Sequence, residues 1–213
     1  MSGPIIAIDG PAAAGKGTLA RRIARHFALP HLDTGLLYRA TGRRVLDAAA
    51  DPRDPLAATA AARTLTPADL ARSDLRGPAA DAASSAVAAI PAVRAALVDW
   101  QRAFGRAHGA VLDGRDIGTV IFPDATAKLF ITASPAARAH RRWLEMQARD
   151  QTATLAQVEA EMAARDAQDA SRAVAPLMAA ADALTLDTSE LDADATFAAA
   201  LSLLQGRIPP PKA

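Results

Sequence analysis

Cysteine is absent from the 213-residue chain, so disulfides, thiol catalysis and thiolate metal sites are excluded, and a reducing, cytoplasmic setting is expected. Lysine is scarce as well, with Lys16, Lys128 and Lys212 the whole set. Neither sign of charge dominates. A formal net charge of +1 gives no general electrostatic pull toward a nucleic-acid polymer or a membrane surface. The histidines, His26, His31, His108 and His140, stand without ligand spacing, which argues against a histidine metal site. The apolar tract from Ala86 to Val98 is broken by Pro91 and Arg94 and is too short to cross a bilayer. No basic segment precedes the first apolar run, which stops at Asp9, so a signal peptide is not expected. With those classes set aside, the length suits one domain with a proper core.

What is present begins with Ile5 to Thr18, reading IIAIDGPAAAGKGT. Ile5 to Ile8 is the short apolar run of a strand buried on both faces. Gly10, Pro11, Ala12, Ala13, Ala14, Gly15 and Lys16 then fit G-x-x-x-x-G-K, a loop whose backbone amides cradle phosphate at the start of a helix. A chance Gly/Ala-rich turn is the competing account. Context opposes it, because the motif follows a strand, precedes the helical run Lys16 to Phe27 and carries one of the few lysines. Gly17 replaces the usual hydroxyl residue, which arrives one place later as Thr18, so the direct magnesium ligand of the common motif is missing.

Further along, Pro30–Asp33, Ala110–Asp113, Lys128–Thr132 and Ala183–Asp187 read as strands, alternating with helices from Leu36, over Pro78–Ala107 split at Pro91, from Pro135 to about Ala148, over Thr154–Ser171 and over Asp192–Gln205. That order predicts an α/β fold, a P-loop architecture with a five-stranded parallel sheet flanked by helices. Thr66-Pro67-Ala68-Asp69 has the form of a helix start, Thr154 and Gln157 that of a capping box, and Pro209 to Ala213 that of a disordered tail. In such sheets ligands bind beyond the carboxyl ends of the strands, where Asp9, Asp33-Thr34 and Asp113 to Asp116 are expected to face one crevice.

Asp113 stands where a phosphate-loop protein holds magnesium, directly or through water. Asp-Gly is also a common turn pair, but Arg115 and Asp116 add charge that a turn does not need. On the Thr154 helix, Leu155, Val158, Met162, Arg165, Asp169 and Arg172 recur at helical spacing, apolar first and charged afterwards. Such a helix packs with one end and offers its arginines to a wet cleft with the other, unless the charges form only an exposed ladder. Arg138, Arg141 and Arg142 precede a polar break around Arg149 to Thr154 and suit a hinged flap that carries positive charge and excludes water.

Together, Gly10-Pro11 through Gly15-Lys16-Gly17-Thr18, Leu32-Asp33-Thr34-Gly35 with Tyr38-Arg39, Asp113 to Val120 with Phe122-Pro123-Asp124-Ala125, and Arg172 to Leu177 resemble the bacterial cytidylate kinase family along nearly the whole chain. The resemblance implies a nucleoside monophosphate kinase with a core (1–36, 108–147, 174–207), a monophosphate-binding segment (37–107), a lid (148–173) and a tail (208–213). It implies ATP as donor, Mg²⁺, and a monomer acting on CMP and dCMP. Residue by residue, Gly10 to Thr18 bind ATP, with Lys16 on its phosphates; Ser85, Arg94 and Asp116 read cytosine; Arg39 and Arg115 grip the acceptor phosphate. Thr34 and Tyr38 join the CMP site, Arg165, Asp169 and Arg172 approach the sugar and transferring phosphate, Arg115, Arg138, Arg142 and Arg172 assist transfer, and Asp33 and Asp113 hold the metal through water.

Two departures stand out. Members usually carry Ser and Gly where this chain has Ala12 and Ala13, and a positive φ at Ala13 would be unfavourable. The segment between Arg39 and Ser85 is short and lacks strand alternation over Thr64 to Arg76, so the small antiparallel sheet of the family is expected to be reduced or replaced by helix. The same fold with another base preference, a regulatory P-loop NTPase and a silent relative are the alternatives; no Asn-Lys-x-Asp guanine motif favours the second.

Overall fold

A computed structural model of the chain describes residues 3–148, 152–172 and 174–208. Part of the expected polar break (149–151), Ala173 of the Arg172–Leu177 motif and the expected tail from Pro209 lie outside the described residues. The chain divides into two compact units, one formed by Met1–Leu32 with Gly105–Ala213 and the other by Asp33–Phe104.

The strands are β1 (Ile5–Asp9), β2 (His31–Asp33), β3 (Ala110–Gly114), β4 (Ala127–Thr132) and β5 (Leu184–Asp187), in the spatial order β2-β3-β1-β4-β5. β1 runs parallel to both β3 and β4, and β4 to β5, as the α/β expectation required. Its residues Ile6, Ala7 and Ile8 are wholly buried, which explains why they show no polar alternation. Register places Asp9 level with Gly114 of β3 and Phe130 of β4, so β1 and β3 end together while β4 runs on to Thr132. The order reverses on either side of β1, and that reversal opens a crevice at those ends.

Helix α1 (Lys16–His26) lays Leu19, Ala20, Ile23 and Ala24 against Ile6, Ile8, Val111, Leu129 and Ile131 of the sheet. The buried Leu, Ile and Val side chains among these are each worth about 1.5–3 kcal/mol of transfer free energy. In the second unit, α2 (Thr34–Asp47) packs on α3 (Pro55–Arg63) and α5 (Pro78–Ala88), with the short α4 (Pro67–Leu70) beside it and α6 (Pro91–His108) following. No residue from Thr34 to His108 is in a strand. Asp69 accepts from the Thr66 amide at 2.8 Å and starts α4, while Arg43, Arg72, Asp47 and Asp74 form an exposed ion-pair set around it.

The remaining helices of the first unit are α7 (Pro135–Gln147), α8 (Leu155–Ala170) and α9 (Ala193–Leu204). The Thr154 capping box is formed, with Thr154 N–H donating to Gln157 at 2.9 Å and Gln157 N–H to Thr154 at 3.3 Å. Two local readings change. Helix α2 starts at Thr34 rather than Leu36, which moves Tyr38 and Arg39 into its second turn; burial of Thr34 overrides the weak helix propensity of Thr-Gly. Residues Ile117–Ile121 form a π-helical turn that no local pattern announces.

Gly10 leaves β1 at φ 145, and a Cβ there would lie 1.9 Å from the Ile131 carbonyl oxygen. Gly10→Ala should therefore destabilise the chain by about 2–3 kcal/mol, because both backbone conformation and space are violated. Urea unfolding checks this, and an unchanged midpoint would contradict the packing described here.

Candidate active site

The loop from Gly10 to Gly15 joins the end of β1 to α1. Gly15 occupies the position before the helix at φ 88, with no side chain capping the first turn. The amides of that turn are thereby left for an anion. Lys16 is buried, and its Nζ donates to the Pro11 carbonyl at 2.6 Å, folding the ammonium back across its own loop. Burial pulls it well below the usual lysine range, Arg115 acts in the same direction, and Asp113 and Asp9 oppose them. A phosphate oxygen would reverse this. Ala13 does adopt the left-handed region, at φ 56. Both Ala12 and Ala13 pack against an apolar cluster of Ala139, Met146, Val158 and Met162 on α7 and α8. Thr18 is exposed and accepts from Arg21 at 3.4 Å.

Asp9 is buried at the end of β1 and accepts from the amides of Ile117 at 2.8 Å and Gly118 at 2.7 Å. Burial pushes its carboxyl up to about 6 despite those two donors. This pair of bonds fixes the π-helical turn and with it the preceding Arg115 and Asp116, of which Asp116 is buried. Asp113, at the end of β3, takes a 2.7 Å contact from His31 through Oδ1. Its Oδ2 would stand 3.7 Å from a Cβ on Gly17, so the missing side chain leaves room in front of the carboxylate. Among the described residues no group of three or more His, Cys, Asp or Glu side chains could hold a metal. One hard carboxylate facing a phosphate loop nonetheless fits Mg²⁺, which keeps several waters and takes its other ligands from phosphate.

The stripe on α8 is divided as its composition demands. Val158 and Met162 are buried in the apolar cluster, with Leu155 packed beside them. The charged half is not presented to open water. Asp169 is 2 % exposed and accepts from Arg115 Nε at 2.8 Å, and Arg172 also pairs with it. Burial would raise its carboxyl, but Arg115 and Arg172 outweigh burial and hold it below the usual range. An exposed ladder is excluded by the same burial. Arg165 is partly buried.

The three arginines of α7 separate. Arg138 is buried and reaches the Ala133 carbonyl at 3.0 Å, the Ala12 carbonyl at 3.4 Å and Asp166 at 2.7 Å. Arg141 instead holds the segment after β5, donating to the Thr188 hydroxyl at 3.0 Å and to the Thr188 carbonyl. Arg142 lies along its own helix against Glu145 at 2.9 Å. Thr188, which no motif singled out, donates to the Ala14 carbonyl of the loop at 3.2 Å.

In the unit Asp33–Phe104, the Arg94 guanidinium lies 5.6 Å from the Tyr38 ring centroid, and Arg39 pairs with Asp81 at 2.5 Å while donating to the Leu75 carbonyl at 3.0 Å. Arg94 and Thr34 are buried, and Ser85 is half-buried on α5. Asp33 ends β2 immediately before α2.

The cytidylate kinase family model matches residues 6–205. A cytidylate kinase from Acidiphilium cryptum is 60 % identical over 205 residues, covering 96 % of this chain and 97 % of that protein. Those of Granulibacter bethesdensis and Methylocella silvestris are 59 % and 58 % identical, covering 96 % and 94 % of this chain and 98 % and 94 % of theirs. Among solved structures, an uncharacterised protein from Eubacterium ventriosum superposes with a TM-score of 0.57 at 13 % identity, over 95 % of this chain and 99 % of that one. A sugar kinase from Janibacter sp. gives 0.50 at 14 % identity, over 95 % and 94 %. These two likenesses concern the fold alone.

The folded chain binds the Asp9 proton more tightly, at about 6, than the ordinary 3.8 of an unfolded aspartate. Asp9 therefore favours folding below its ordinary value and loses that contribution as pH rises through about 6. Asp9→Asn removes the titration, so its stability deficit against the parent should shrink by about 2 kcal/mol between about pH 4.5 and 7.5. Urea unfolding at both pH values measures it; a deficit constant across the range would contradict the shift.

Proposed function

The chain belongs to the cytidylate kinase family, and from that membership we propose how its own residues carry the reaction. It is an ATP-dependent kinase that converts CMP and dCMP to CDP and dCDP. The observation that carries this is the family match over residues 6–205, within which the phosphate loop and buried Lys16 lie.

The loop amides and Lys16 take the ATP phosphates, Lys16 leaving the Pro11 carbonyl for a stronger acceptor. Asp113 would hold Mg²⁺ through water in the space before Gly17, and the ion supplies neutralisation of the β- and γ-phosphate oxygens when bound. Residues 37–107 form the monophosphate-binding segment and 148–173 the lid. Arg39 and Arg115 grip the acceptor phosphate, and Thr34 and Tyr38 belong to the same acceptor site. An oxygen of that phosphate attacks in line. Its bond to the γ-phosphorus forms as the bond to the bridging oxygen of ATP breaks, and ADP leaves without a covalent enzyme intermediate. Arg115, Arg138, Arg142 and Arg172 balance the charge spread over the moving phosphoryl group.

Base choice follows from hydrogen-bond polarity. The cytosine N4 amino group donates to Ser85 or Asp116, and its O2 and N3 accept from Arg94. A carbonyl at position 4, as in UMP, would set an acceptor against an acceptor, which such sites reject strongly. Arg165, Asp169 and Arg172 serve the sugar and the transferring phosphate. The enzyme works in the cytoplasm as a monomer.

Coupled ADP-release assays with CMP, dCMP, UMP and AMP test the assignment. CMP and dCMP should be the good acceptors, and equal rates with UMP would overturn the specificity. Lys16→Met should lower kcat at least about 100-fold with little change in the unfolding midpoint; a fully active variant would overturn the phosphate assignment.

A further inference from the structure

Besides Lys16, Arg138 is a buried cation that bonds the phosphate loop, and what holds it is a residue that neither the motifs nor the family match assigns. Its guanidinium has five N–H donors. Nε bonds the Ala133 carbonyl just past β4, one Nη bonds the Ala12 carbonyl of the loop, and the other bonds Asp166 Oδ2 on α8 at 2.7 Å. Two donors remain for an incoming phosphoryl group. Of the three partners only Asp166 is charged, and it is the ion-pair partner of Arg138 among the described residues. We propose that Asp166 is the positioning residue that orients Arg138 for phosphoryl transfer and thereby ties the α7–α8 hairpin to the phosphate loop. This rests on the reading of Arg138 as a contact of the transferring group.

Three features support it independently of that reading. First, Asp166 lies one turn before Asp169 on α8, and the two carboxylates grip arginines from different parts of the chain, Arg138 on α7 and Arg115 after β3. One helical turn therefore sets the direction of two guanidinium groups. Second, the Oδ1 atom of Asp166 is buried with no hydrogen-bond partner among the described residues. The Asp166 side chain is partly exposed, yet this one oxygen is shut away from solvent without a donor, and such an atom calls for a functional explanation. Third, the loop and the hairpin already touch through apolar groups, Ala12 and Ala13 packing on the cluster of Met146, Val158 and Met162. That packing brings the hairpin close but is nondirectional; the Asp166–Arg138–Ala12 chain supplies the direction.

The test compares Asp166→Asn, Asp166→Glu, Arg138→Met and the double variant Asp166→Asn/Arg138→Met by steady-state kinetics, urea unfolding and calorimetric ATP binding. Asp166→Asn should lower kcat at least about tenfold with KM for CMP within about twofold, and Asp166→Glu should recover most of the loss. In the Arg138→Met background the Asn substitution should have no further effect, because the residue acts through Arg138. An unchanged kcat in Asp166→Asn, or a loss that simply adds to that of Arg138→Met, overturns the proposal. So does full activity in Arg138→Met. If Asp166→Asn does not fold, Asp166→Glu decides: near-parental kcat supports the charge pairing, and kcat as low as Arg138→Met overturns it. If the parent itself transfers no phosphoryl group to CMP, the assignment of function fails separately. ATP affinity then decides the pairing, supported by equal, non-additive losses in the Asp166→Asn and Arg138→Met variants and overturned by parental affinity in Asp166→Asn.

Discussion

The two hydrogen bonds from the Ile117 and Gly118 amides to the Asp9 carboxylate hold together the parts of this chain to which the chemistry is assigned in the proposed function. They join the end of β1 to the turn that follows β3, so the phosphate loop and the Arg115-Asp116 segment are fixed to the same carboxylate. Burial works against this arrangement, raising Asp9 to about 6, and the backbone donors work for it. The two amides, with a smaller contribution from Lys16, favour the ionised form against burial. Ile117 and Gly118 open the π-helical turn Ile117–Ile121, so their N–H groups have no partner within it and are left for the Asp9 carboxylate.

Around this anchor the loop carries strain that its neighbours absorb. An L-residue in the left-handed region is unfavourable by roughly 1–2 kcal/mol, and Ala13 is held there at φ 56. Glycine would relieve that strain but would lose the methyl contact with the cluster on α7 and α8. The two alanines thus exchange backbone freedom for packing against the hairpin. The consequence is mechanical: a loop gripped by apolar contacts, the Arg138 bond and the Thr188 bond has fewer ways to rearrange than a free glycine-rich loop.

What could be read from the sequence was what is decided locally. The run Ile5–Ile8, the glycine spacing and Lys16 lie within one strand, loop and helix, so the phosphate loop was legible without its surroundings. The Thr154–Gln157 cap and the apolar half of α8 were legible for the same reason, since partners lie three or four residues away. The π-helical turn was not, because its stabilising carboxylate is more than a hundred residues distant. The three arginines of α7 look alike in sequence at 138, 141 and 142. Their partners, Asp166, Thr188 and Glu145, separate them, and two of those three lie far along the chain. The start of α2 was misread because Thr34-Gly35 has turn composition, while burial of Thr34 decides the matter. Wetness, too, is invisible to periodicity: the spacing found the Arg165–Asp169–Arg172 face but not the burial of Asp169.

Three buried or half-buried cations beside the loop pair with acceptors of the chain itself. Lys16 uses the Pro11 carbonyl, Arg138 uses two carbonyls and Asp166, and Arg115 uses Asp169. Each is a group that phosphate oxygens can outcompete or join, because charge-assisted bonds to an oxyanion are shorter and about twice as strong as bonds to a neutral carbonyl. Lys16 shows the direction of the exchange. Burial depresses its basicity, and an anion at the loop would raise it. On the proposed assignment, substrate phosphates would therefore complete the electrostatics around Lys16 instead of disrupting them. The carboxylate partners are the exception, since an anion arriving at Arg138 or Arg115 meets Asp166 or Asp169 already there. On the proposed assignment those carboxylates would make phosphate binding weaker than a bare arginine pair would, and in return they keep two guanidinium groups pointed in fixed directions. For a reaction whose catalysis is mostly positioning, a fixed direction counts for more than the affinity given up.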